Sequence, residues 1–232
     1  MTRTCHDLPG WFGKLASLGD FAQRRLPAAC VSVCDAWLSA SMLAGQELLR
    51  ERWIDAYLHA PVLRFAWAPG VIDGQWWFGV LMPSCDNVGR YFPLLITQAR
   101  EQAPEDRIAL EHLQLWLDHL ADAAIQTLDD AGTSIESFEA QLQDAPPWPT
   151  ASSGLALLDR PSGESGHWSS GSNLPLFSWM HLLAASKLTR SLDGHSLWWR
   201  ADPSGAKDSM DIVHGMPDGS QFVALIEGHI AL

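Results

Sequence analysis

The sequence predicts an α/β fold: a single domain with a mixed, largely antiparallel sheet and helices on both faces. Two observations carry that prediction. The runs QWWFGVLM (75–82) and YFPLLIT (91–97) are apolar at nearly every position, as strands are when both faces of their sheet are covered. Residues 107–129 repeat their apolar side chains at helical spacing, so an amphipathic helix is at hand to cover one face. The chain has 232 residues and is 47% hydrophobic, enough for one sizeable core. The loop-rich stretches at 144–154 and 160–175 do not clearly divide it, so residues 1–232 are read as one domain.

Each element follows from its residues. WFGKL, from Trp11, reads as a short first strand, with a turn at Ser17-Leu18-Gly19 and a basic segment beyond Asp20. A helix is expected over 27–48 behind Pro27, weakened near Gly45, and ERWIDAYLHA adds a second helical piece that ends at Pro61. VLRFAWA (62–68) is strand-like and stops at Pro69-Gly70. PSCDNVGR (83–90) is short enough to join 75–82 and 91–97 as an antiparallel hairpin inside the sheet, with Trp76 and Trp77 on opposite faces. In 107–129, Leu113, Trp116, Leu117, Leu120, Ala124 and Leu128 share one face. Glu111, Asp118, Asp122 and Asp129 form a solvated opposite face, and His112 and His119 lie at its boundary. SIESFEAQL and FSWMHLLAASKL read as helices and HSLWWRA (195–201) as a strand. SQFVALI suits either state, and Pro217-Asp218 before it favours a helix start.

Composition removes several function classes. With 15 Lys+Arg against 27 Asp+Glu the formal net charge is −12. The phosphate electrostatics of nucleic-acid binding are therefore unfavourable, and anionic lipid repels the chain. The first nine residues lack the apolar segment of a signal peptide, and no run approaches the ~20 apolar residues of a membrane helix, so no membrane insertion is expected. Four sparse cysteines fit a cytoplasmic protein with reduced thiols, Cys30 and Cys34 being buried on one helix face.

The stretch PGWFGKLASLGDFAQRR (9–25) resembles a phosphate-binding loop only superficially. Gly13-Lys14 is followed by Leu15, so the hydroxyl that would reach magnesium is absent, and Leu8 stands where the first glycine belongs. Gly10, Gly13 and Gly19 also miss the dinucleotide spacing. No nucleotide, metal or other cofactor is expected, and no catalytic residue is assigned. Ser84 and nine histidines are present, but no G-x-S-x-G elbow accompanies them.

In the 83–90 turn, Gly89 is expected at positive φ, Asp86 folds its carboxylate onto backbone amides, and Arg90 projects at the start of the next strand. Asp20, Arg24 and Arg25 lie in a second loop. Lys14, Asp20, Arg24, Arg25, Asp86 and Arg90 are thus the candidate site residues. They suit a structural ion-pair lattice, a partner-docking surface or a catalytic Asp-Arg pair. Of the twelve tryptophans most belong to the core, while Trp148 and Trp168, in loops, are candidates for partner contact.

The blocks GWFGKLASLGDFAQRRLP, CDAWL, APVLRFAW and WFGVLMPSCDNVGRYFPLLI, in that order and spacing, resemble the TagF (ImpM) family associated with bacterial type VI secretion. The resemblance runs from about Gly10 to Thr97, and SLWWRADP and VHGMPDGSQF match the family's tail more loosely. Ala16 replaces a common Pro, and Cys85 and Asn87 replace a common Val and Arg. The resemblance implies a post-translational repressor of secretion that binds cytoplasmic components, notably a forkhead-associated scaffold protein. A structural or assembly component of the apparatus is the alternative reading, and an unrecognised hydrolase the second. Some relatives carry a fused metal-dependent phosphatase. The 232 residues here leave no room for it, so binding without catalysis is expected.

Overall fold

Seven strands form one sheet in the order β2-β1-β5-β4-β3-β6-β7, and every described pair is antiparallel. The strands are β1 (Gly10–Gly13), β2 (Ala22–Arg24), β3 (Leu63–Trp67), β4 (Trp76–Met82), β5 (Leu94–Arg100), β6 (His195–Arg200) and β7 (Ser209–His214). The helices are α1 (Ala28–Leu49), α2 (Trp53–Leu58), α3 (Arg107–Asp129), α4 (Ile135–Gln143) and α5 (Gly219–Glu227). A computed structural model describes residues 8–18, 20–86, 88–104, 107–129, 134–149, 190–200 and 209–228. The expected helix FSWMHLLAASKL, the loop stretch 160–175, residues 150–154, Cys5, Gly19, Asn87 and Trp168 lie outside the described residues.

The sheet is covered on both faces. Alternate residues Trp76, Phe78, Val80 and Met82 of β4 meet α3 and α4 through Trp116, Leu117, Leu120 and Phe138. Their neighbours Trp77 and Leu81 join a second core with α1, α2 and α5 through Leu38, Trp53, Tyr57 and Phe222. This double cover explains the unbroken apolar runs. As expected, β4 and β5 are antiparallel neighbours in the sheet interior, with β1 and β3 on their outer sides. β5 starts later than YFPLLIT suggests. Pro93 has no N–H for the ladder, and Tyr91 instead forms an isolated bridge with Cys85.

α1 runs through Gly45 without a break, and Gly45 is a point of close approach. A Cβ there would lie 2.0 Å from the Trp53 ring. Ala28–Leu58 also corrects the expectation of no membrane-length apolar run: an 18-residue window within it has a mean hydropathy of 1.4, which by length and composition alone would suffice to cross a bilayer. Alanine, serine and cysteine fill this stretch, and Asp35 is its one charge before Glu47. In the fold, Cys30, Cys34, Leu38, Met42 and Leu49 of α1 pack on the sheet.

Two details of α3 differ from its periodic pattern. Leu128 is exposed, and Thr127 is buried with its hydroxyl donating to Ala124 O. Asp118 is not merely solvated, since it accepts from Arg64 Nε of β3 at 3.0 Å. His112 is exposed, whereas His119 hydrogen-bonds Gln141 O. The 220–226 segment is helical in α5. Asp218 accepts from Gln221 N, and the Gln221 side chain accepts from Asp218 N in a reciprocal cap. Strands β2 and β7 have no counterpart in the sequence reading: β2 is only three residues long, and β7 (SMDIVH) carries an acidic residue at its centre.

Candidate partner-docking site

Lys14 follows β1, and its ammonium turns inward to Asp86 Oδ2 at 2.5 Å, both side chains being almost fully buried. The turn that holds Asp86 is built around that carboxylate. Oδ1 accepts from Val88 N at 3.1 Å and from Arg90 N at 2.8 Å, and Oδ2 accepts from Arg90 Nε at 2.7 Å. Gly89 has φ +80, as the turn requires. Burial alone would raise the Asp86 pKa. The hydrogen bonds from Lys14, from Arg90 backbone and side chain and from Val88 outweigh it and hold the carboxyl well below the usual carboxylate range.

The neighbouring Ser84 is also engaged. Its hydroxyl donates to Lys14 O at 2.9 Å, its N–H donates to Tyr57 Oη, and its carbonyl accepts from Tyr57 Oη. Among the described residues these partners tie the turn to β1 and α2 and give the Ser84 hydroxyl no histidine. Burial pushes the Tyr57 hydroxyl upward despite its bond to Ser84. Lys14, enclosed and paired, offers no ammonium to a phosphate.

What the network holds at the surface is apolar and cationic. Val88 is 69% exposed, and the Arg90 side chain is 57% exposed. Phe21 is 48% exposed; it meets Phe92 edge-on at 4.8 Å and lies 5.0 Å from Lys14 Nζ. These three side chains crown one end of the sheet.

The expected six-residue grouping divides into two clusters and one separate residue. Lys14, Asp86 and Arg90 come together. Arg24 and Arg25 belong elsewhere: Arg24 is the last residue of β2, and Arg25 follows it at φ +59, a region costly for a side chain. Arg25 makes a bidentate pair with Glu139 of α4 at 2.5 and 3.1 Å and donates to Pro9 O. Trp11 Nε1 also donates to Glu139, and Arg24 lies 3.9 Å away. This second lattice pins the β2–α1 junction onto α4. Asp20 is exposed and accepts from Phe21 N. Arg90 does not begin a strand, since β5 starts at Leu94.

Glu139, Phe21 and Val88 are absent from the sequence-based set. Glu139 sits 114 residues from Arg25, a separation that no motif spacing encodes. Trp148 is half-buried and packs on Phe78 and Trp116, so its described contacts are internal. Cys30 and Cys34 are buried with sulfurs 4.0 Å apart. The contact with Cys30, together with burial, raises the Cys34 pKa, so that thiol stays protonated. No group of three metal-ligating side chains forms among the described residues.

Comparison with known proteins adds the family. PA0076 from Pseudomonas aeruginosa PAO1, a solved structure, superposes with a TM-score of 0.74 at 30% identity, covering 97% of this chain and 96% of that one. No curated protein gives a significant match. The model of the TagF N-terminal domain, described as type VI secretion system-associated, matches residues 10–145, which hold β1 to α4 and both ion-pair lattices. The chain belongs to this TagF N-terminal domain family of type VI secretion system-associated proteins.

Proposed function

We propose that this protein represses type VI secretion after translation by holding a cytoplasmic component of the system, such as a forkhead-associated scaffold, in a stoichiometric complex. The observation that carries the reading is the Asp86 turn. A buried carboxylate with four hydrogen bonds presents Val88 and Arg90 beside Phe21. Exposed aromatic and arginine side chains on a rigid support suit a binding hot spot, because little conformational entropy is lost on docking.

The test separates docking from scaffold. Arg90→Glu and Val88→Asp alter the exposed tip and leave Lys14 with Asp86. Each should weaken capture of secretion components at least tenfold. Val88→Asp should leave the melting temperature within about 2 °C of wild type, as surface changes do, whereas Arg90→Glu also removes a donor from Asp86 Oδ2 and should lower it. Retained capture and repression in both variants would place the docking face elsewhere.

A further inference from the structure

At the end of the sheet opposite to β2, His195 of β6 and His214 of β7 stand directly across from each other. Their ring centroids are 5.2 Å apart and the rings are nearly perpendicular, at 87°. His195 is half-buried and His214 exposed. We propose that this pair is a binding site for one borderline divalent cation of the zinc class.

Three features support the assignment. The first is spacing. Two imidazoles bound to one tetrahedral zinc at about 2.0–2.1 Å have ring centroids roughly 5 Å apart, which the pair already satisfies. The second is tautomer. His195 Nδ1 lies 3.0 Å from Asp193 O. A carbonyl only accepts, so Nδ1 carries the proton and Nε2 keeps its lone pair for a metal. This is the backbone support that orients metal-binding histidines.

The third is the rigid, uncrowded setting. Gly194 N donates to Pro69 O at 2.7 Å, Gly215 N to Gly194 O at 2.6 Å, and Ala68 N to His195 O at 3.0 Å, so both histidines hang from a pinned backbone. A Cβ on Gly194 would come within 3.6 Å of His214 Nε2. That is an ordinary contact distance, and Gly194 is fixed by its φ of +73. Two imidazoles select zinc, copper or nickel over magnesium and calcium, which prefer oxygen ligands. Water fills the remaining positions, so the affinity expected is micromolar rather than that of a closed structural site.

The experiment is calorimetric titration of the full chain, stripped with EDTA and dialysed, with zinc chloride. One site of micromolar affinity is expected. His195→Gln and His214→Gln should each weaken it at least tenfold, and His59→Gln, on α2's far terminus, should not. Zinc should raise the melting temperature of wild type and not that of either variant, since the metal joins β6 to β7 only in the folded state. Magnesium chloride should give no binding. Zinc affinity within twofold of wild type in both variants, or no saturable binding up to about 100 μM, would overturn the proposal. If either glutamine variant fails to fold by circular dichroism, the asparagine variant at the same position, His195→Asn or His214→Asn, replaces it under the same criteria.

Discussion

At the scale of single residues the protein depends on carboxylates that each serve several donors. Lys14 and Asp86 are buried together. Lys14→Ala removes one partner and leaves a buried charge, so it should cost about 3 kcal/mol or more, roughly 6–12 °C in melting temperature for a chain of this size. A calorimetric melt checks this. The sign of the pH effect follows from the lowered pKa of Asp86. Its stabilisation is fully present above the ordinary carboxylate value of about 4 and is lost as pH falls from there toward the depressed folded value. Asp86→Asn should therefore be less stable near neutrality and should lose less of its remaining stability than wild type on acidification below pH 4. Denaturant melts at pH 5, 4 and 3 give both slopes. Of these residues, the turn logic at Asp86 and Gly89 was legible, because Asp and Gly carry their conformational preferences locally. The partner of Arg25 was not, because Glu139 reaches it only through tertiary packing.

At the scale of elements, the readable ones were those whose period is dictated by burial. β4 and β5 are apolar on both faces because both faces are covered, and α3 shows its stripe because only one of its sides meets the sheet. Short or edge elements escaped: β2 has three residues, and β7 exposes Met210 and Ile212 around Asp211, so neither shows a clean alternation of buried and solvated positions. α1 shows how packing overrides propensity. Alanine is about 1 kcal/mol better than glycine inside a helix. At Gly45, however, the new methyl group would fall 2.0 Å from Trp53. Gly45→Ala should therefore destabilise, by about 1–3 kcal/mol, with the loss visible in tryptophan fluorescence melts. α5 follows the opposite rule, its local signal being sufficient. Asp218→Ala removes the carboxylate of the reciprocal cap and should cost about 1 kcal/mol, measured by urea denaturation.

At the scale of the whole molecule, a doubly covered antiparallel sheet carries at one end a turn locked from within and apolar and cationic at its surface. The family membership places the protein with type VI secretion, and the proposed mechanism is occupancy of a cytoplasmic partner. Occupancy and catalysis differ in arithmetic. A binder blocks one partner site per molecule, whereas a catalyst acts far below the concentration of its target. The direct measurement is a titration of secreted substrate against the cellular ratio of this protein to its captured partner, with wild type and Val88→Asp compared at equal abundance. Binding predicts repression that is half complete near half-saturation of the partner and full only near equimolar amounts, with the Val88→Asp curve displaced to higher dose. Full repression by wild type at a few per cent of the partner's abundance would contradict it.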